Sequence, residues 1–216
     1  MSIEHHPPDE MLAAFTVGSL DHGQHVAVAT HLVACQKCRN FVCSMEEVGG
    51  AVLTDLPPAA MSNNTLAEVE LHLNESAPVA RAKMTPVLLE TEIPGLPKFV
   101  RRYRFGRWKW IAPSVYLRPI ELPHTSSTRV FLLKSGPGTK MLQHTHTGVE
   151  MTCVLSGAFR QDDIQYGPGD FDLGDETIDH RPVVADEQDC ICLVAMQGKL
   201  RLKGLMGWIV QPLVRL

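Results

Sequence analysis

The sequence predicts an α+β chain in two parts, a small all-α helical domain followed by an all-β barrel. Three observations lead there. Residues 1–75 place apolar side chains at helical spacing. From about residue 100 onward, short β-branched and apolar runs alternate with glycine and proline turns, the rhythm of a barrel or sandwich. Between them, Asn74 to Pro97 carries Pro78, Pro86, Pro94 and Pro97 among small and polar residues, as a linker does. The boundary is expected near residue 85, giving a helical domain over 1–85 and a β domain over 86–216 that includes the linker to about 97.

The bulk properties narrow the classes of function. With 216 residues, one large domain or two small ones can bury a core. A net charge of -4 argues against general attraction to nucleic acid. The N-terminal residues lack a basic-then-apolar signal pattern, and no apolar run approaches the roughly 18 residues of a membrane span. A soluble, cytoplasmic protein without a membrane partner is expected. Its 6 cysteines point to metal ligands, core packing or redox chemistry rather than to a disulfide framework.

Taken in order, the first helix is expected from a cap at Asp9 through Met11, Leu12 and Phe15 to about Gly18. A second fits Gly23–Val33 and a third Gln36–Leu53, weakened at its end by Gly49 and Gly50. A fourth starts near Asn63 or Asn64 and carries Leu66, Val69, Leu71 and Leu73. Short helices with a thin apolar face make a marginal core, which a bound metal would stabilise.

His31, Cys35 and Cys38 supply such a site, in the segment HLVACQKC. His31 and Cys35 lie one turn apart on one helical face, and Cys38 follows a further three residues on. This soft nitrogen and sulfur set favours tetrahedral zinc, which needs a fourth ligand. His6 is the first candidate and His5 the second, with His22 and His25 weaker. The alternative is a pair of core cysteines beside a surface histidine. Cys43 reads as a core or surface thiol. The H-x3-C-x2-C spacing, with a histidine shortly upstream, resembles the zinc-binding anti-sigma domain of regulators of extracytoplasmic-function sigma factors.

After the linker comes RRYRFGRWKW, Arg101 to Trp110. Interleaved basic and aromatic residues can bind single-stranded nucleic acid. In an acidic chain with one such stretch, the better reading is a strand with Tyr103, Phe105, Trp108 and Trp110 partly in the core. Further strands are expected at Arg107–Ile111, Val115–Pro119, Thr128–Lys134, Met141–His146, Val149–Arg160, Phe171–Leu173, Arg181–Ala185, Asp189–Gln197 and Leu200–Lys203. The apolar tail Trp208–Leu216 would add an edge strand or cover a barrel end.

Within this region GTKMLQHTHTGVEMTCVLSG places His144, His146 and Glu150 close together. Alternate strand residues share a face, and a turn at Thr147–Gly148 would bring Glu150 to the same point. Two imidazoles and a carboxylate leave open positions on zinc, iron, manganese or nickel. Gly138, His144, His146, Glu150 and Gly157 resemble the first cupin motif, G-x5-H-x-H-x3-E-x6-G, at every spacing. Gly167-Pro168-Gly169-Asp170 resembles the turn of the second cupin motif, and that resemblance makes His180 the fourth ligand, although GDETIDH stands where a Pro–Gly turn often precedes it. A divalent metal is expected there, zinc first. Cys190 and Cys192 alternate on one strand face, where they pack in the core or meet the pocket; Cys153 has the same two roles open.

The order of the two motifs, with the closing Val210-Gln211-Pro212, resembles the ChrR family of anti-sigma factors. The resemblance implies a regulator whose helical domain sequesters an extracytoplasmic-function sigma factor from core RNA polymerase. Its cupin domain would sense an oxidative signal such as singlet oxygen. The competing reading is a metal-dependent cupin enzyme, a dioxygenase or isomerase, although Glu150 would then be a ligand and not a free base, and no catalytic residue stands out. A zinc-finger DNA reader would need a basic helix, and Gln36–Leu53 sets Lys37 and Arg39 against Glu46 and Glu47.

Overall fold

Four helices open the chain: α1 (Asp9–Thr16), α2 (His22–Ala34), α3 (Gln36–Thr54) and α4 (Thr65–Asn74). This computed structural model describes residues 3–74, 93–122, 126–141, 143–176 and 181–202, with backbone alone at 74, 144, 146 and 200–202. The expected boundary near residue 85 and the tail Trp208–Leu216 lie outside the described residues. No helix among the described residues is long and apolar enough to cross a membrane.

Each helix has a local cause, and one differs from expectation. Asp9 is not the cap of α1; Pro8 holds that position without a side-chain hydrogen bond, and Asp9 is the first helical residue. Proline fits there because its fixed φ is already close to helical and the first amides have no intrahelical partner. At α2 the cap is Asp21, whose carboxylate accepts from the Gly23 amide while the Gln24 side chain accepts from the Asp21 amide. That reciprocal arrangement is a capping box. Cys35 breaks between α2 and α3 in extended conformation, and its sulfur accepts from the Cys38 amide at 3.4 Å.

The β region begins after a 3-10 turn at Val100–Arg102 and runs through β1 (Arg104–Phe105), β2 (Lys109–Ala112), β3 (Val115–Glu121), β4 (Arg129–Ser135), β5 (His144–His146) and β6 (Glu150–Ser156). It continues with β7 (Phe159–Gln161), β8 (Ile164–Tyr166), β9 (Phe171–Gly174), β10 (Val183–Val184), β11 (Cys190–Met196) and β12 (Leu200–Leu202). A 7-stranded antiparallel sheet has the order β1-β3-β4-β11-β6-β9, with β2 also on β3. It faces a 3-stranded sheet, β10-β7-β8, and β12 pairs with β5 in a third. Among the expected strands, Met141–His146 contracts to β5, Arg181–Ala185 contracts to β10, and Val149–Arg160 splits into β6 and β7 around Gly157.

Period-two alternation explains both cores. From β11, Cys190, Cys192, Val194 and Met196 join Leu117, Phe131, Val154, Phe159, Tyr166 and Val184 in the cluster between the two larger sheets. The intervening Ile191, Leu193 and Ala195 join Met151, Cys153 and Leu155 on the other face, where α2 lies against β11 and β6. Val26, Ala27, Val28 and Leu32 of α2 are buried in that second cluster. The thin helical layer therefore completes its core on the outer face of the barrel.

The basic and aromatic stretch follows the strand reading in part. Tyr103, Phe105 and Trp108 pack at the edge of the core, and the Arg118 guanidinium lies over the Phe105 ring at 5.4 Å and the Trp108 ring at 5.9 Å. Trp110 departs from expectation and is 63% exposed, because its neighbour on β3, Tyr116, points to the same outer face.

Candidate metal centre

The sequence order His6, His31, Cys35, Cys38 becomes a single cluster because three chain segments converge. The last turn of α2 supplies His31, the α2–α3 break supplies Cys35, and the first turn of α3 supplies Cys38. The segment before α1 lays His6 across them. The four donor atoms all lie within 4.8 Å of one another. His31 Nε2 is 3.2 Å from Cys38 Sγ, and His6 Nδ1 is 3.4 Å from both sulfurs. His5 is turned away, its ring 4.5 Å from that of Tyr166. His22 meets the Tyr103 hydroxyl at 2.8 Å, and His25 stacks on Phe15, so neither points into the cluster.

Burial tunes these donors. It lowers His31 to about 4, against a hydrogen bond to the Gly169 carbonyl that favours the charged form. Burial also lowers His6, so both imidazoles are neutral with a lone pair available near pH 7. The Cys38 thiol is pushed up to about 12 by burial and then by its Cys35 neighbour. The four residues could hold a metal ion.

The backbone places His144 and His146 two apart on β5, with Glu150 at the start of β6 opposite Gly174 of β9. His180 lies outside the described residues. The Glu150 carboxyl is pushed up to about 7 by burial and by nearby Asp172, and the Thr152 hydroxyl is 3.4 Å from it.

Residues 99–200 match the family described as the ChrR cupin-like domain. Over its whole length the chain is 33% identical to the anti-sigma-E factor ChrR of Cereibacter sphaeroides, the alignment covering 100% of both. The chain belongs to the ChrR family of anti-sigma factors. Its fold is similar to a chain in the crystal structure of Rhodobacter sphaeroides SigE in complex with the anti-sigma ChrR, with 31% identity, a TM-score of 0.73, and coverage of 91% of this chain and 100% of that one.

Within this ChrR-family fold the remaining thiols are not among the four grouped donors. Cys43 is exposed, and Cys153 is buried on the helix-facing side of β6, its thiol pushed up to about 12 by burial and by Asp170. Cys190 and Cys192 are buried with their sulfurs 3.7 Å apart. What sequence reasoning missed is the barrel's contribution at Gly169 and Asp170, which approach the helical cluster from far along the chain. The motif marked that turn as structural; its second use follows from tertiary packing.

Proposed function

We propose that this chain is a cytoplasmic, zinc-dependent anti-sigma factor that holds an extracytoplasmic-function sigma factor away from core RNA polymerase. The observation that carries the reading is the apolar surface on the helices that do not rest on the barrel. Val48, Val52 and Leu53 of α3 are exposed, and α4 exposes Leu66 (71%), Val69, Leu71 and Leu73 (78%), with no buried residue among its described side chains. So many large apolar side chains on two adjacent helical segments suit helix-to-helix docking with a protein partner. The ChrR relative of similar fold was crystallised with SigE, which makes a sigma factor the fitting occupant.

Zinc suits the helical cluster on geometry as well as donor chemistry. A tetrahedral zinc with bonds of about 2.3 Å to sulfur and about 2.0 Å to nitrogen separates its ligand atoms by roughly 3.3–3.8 Å. His31–Cys38, His6–Cys35 and His6–Cys38 stand at 3.2–3.4 Å, close to that range, and all four donor atoms lie within 4.8 Å of one another. His6 would bind through Nδ1 and His31 through Nε2, with Cys35 and Cys38 as thiolates. Bound zinc would replace the two thiol protons and fasten α2, α3 and the segment before α1 into one layer, so that binding energy becomes folding energy.

The barrel is the sensor in this reading. His144, His146, Glu150 and His180 would hold a second divalent ion, zinc first, with iron, manganese or nickel also compatible with the donors. An oxidative signal, singlet oxygen by family likeness, would act there and bias the bound and released states. The regulator requires no turnover, whereas the enzyme alternative requires a small substrate that the purified chain converts.

Transcription from a promoter dependent on the cognate sigma factor tests this directly. The full chain should suppress it, oxidant should restore it, and His144→Ala with His146→Ala should abolish the restoration. Undiminished transcription with a folded, metal-loaded chain would contradict the anti-sigma reading. Restoration that survives the histidine substitutions would contradict the sensing role alone.

A further inference from the structure

We propose that the barrel turn Gly167–Asp170 forms the outer shell of the helical metal site, with Gly169 and Asp170 as positioning residues for its two histidine ligands. This rests on the metal-binding reading above and goes beyond it, because it assigns barrel residues to the helical centre.

Gly169 acts on His31. The His31 ring, 0% exposed, places Nδ1 at 2.7 Å from the Gly169 carbonyl oxygen. A carbonyl can only accept, so Nδ1 carries the proton and Nε2 is left as the lone-pair donor facing Cys38. Ligating histidines are generally oriented in this way by an outer acceptor. The carbonyl reaches the ring because residue 169 has φ +92 and no side chain. A Cβ there would meet Ile3 Cδ1 at 2.6 Å and Ala34 Cβ at 3.2 Å, the first from the segment leading to His6 and the second from the end of α2.

Asp170 acts on His6. Its carboxylate is 6% exposed and satisfied by three backbone amides. One oxygen accepts from Gly167 at 2.8 Å and closes the turn. The other accepts from Glu4 at 2.8 Å and His5 at 3.0 Å. The Phe171 amide donates back to the His5 carbonyl at 3.1 Å, so the residues just before His6 are held from both sides. If this segment lifted away, a buried charge would lose two of its three donors, a costly state. The turn therefore holds the approach of His6 and the tautomer of His31, while Cys35 and Cys38 are placed by the helices alone. Metal affinity and turn geometry are then linked reciprocally: a distorted turn loosens the metal, and an empty site loosens the turn.

The test is a cobalt titration of the metal-free full chain, followed by the thiolate-to-cobalt charge-transfer band that a site with two cysteines gives and a histidine–carboxylate site does not. Asp170→Asn removes one acceptor function from the barrel side. Glu4→Pro removes one donor from the opposite side and leaves the barrel turn untouched, so the test survives if the first variant folds poorly. Each should weaken cobalt binding about 10- to 100-fold, with the band's shape retained. Wild-type affinity in both variants would overturn the proposal while the metal reading stands. A wild-type chain without the band would overturn that reading and the proposal with it.

Discussion

Asp21 shows how one side chain serves two levels of structure. It caps α2, and the same carboxylate accepts from the Ser126 hydroxyl at 2.7 Å and the Ser127 amide at 2.9 Å, tying the helix to the segment before β4. Burial opposes its ionisation, but the donors from Ser126, Ser127 and Gly23 outweigh that and hold the carboxyl well below its ordinary 3.8. Asp21→Ala should cost about 2 kcal/mol in urea unfolding, from the lost cap and the unsatisfied donors. A carboxylate with a depressed folded value stabilises the fold above the ordinary value of 3.8 and loses that contribution as the pH falls through the depressed one. The deficit of the variant should accordingly shrink in acid below 3.8. A deficit that grew there would refute the assignment. The signal is present in the sequence as Asp21 followed three residues later by Gln24, but the second helix is expected only from Gly23 and no cap is assigned to it. The grouping of His31, Cys35 and Cys38, by contrast, follows from spacing local to one helix break, whereas His6 joins them from a separate segment of the chain.

At the scale of elements, glycine positions decide where the barrel strands stop. Val149–Arg160 is expected as one strand although Ser156 and Gly157 interrupt its apolar residues, and Gly157 adopts φ +73 and turns the chain between β6 and β7. A Cβ at that position would collide with the Asp189 carbonyl oxygen and come within 2.7 Å of Cys190 Cα. Gly157→Ala should destabilise the fold by at least about 2 kcal/mol in thermal or urea unfolding, combining left-handed strain with the clash. A neutral substitution would mean that the turn has another conformation. The strand β8 escaped sequence reading because DDIQYG is short and mostly polar, with apolar residues only at Ile164 and Tyr166. Among helices, α4 carries the exposed apolar surface proposed to meet the partner. Leu66→Asp with Leu73→Asp should weaken sigma-factor binding at least tenfold, on the order of 1.4 kcal/mol, while leaving the melting temperature within a few degrees. Unchanged affinity would remove α4 from the interface.

Across the whole molecule, the helical layer and the barrel share one apolar cluster, and sequence reasoning did not place it. The pattern of α2 contains the reason. HVAVATHLVA is apolar almost all round, which marks a helix covered on more than one side. One side meets the rest of the helical layer, and the other meets β6 and β11. Which sheet face receives such a helix depends on long-range packing that no local window contains. The same contact brings the turn before β9 to the His31 ring and to the backbone of Glu4 and His5, beside the candidate metal cluster. The central claim is that metal organises the helical layer into a sigma-binding surface. The most direct measurement is the affinity of the full chain for the extracytoplasmic-function sigma factor of the same genome, before and after metal removal and in Cys35→Ala and Cys38→Ala. Stoichiometric binding that is lost on chelation and in both variants is the predicted result. Binding of equal strength in the stripped chain and the variants would contradict the account, as would absence of binding by the folded, metal-loaded protein.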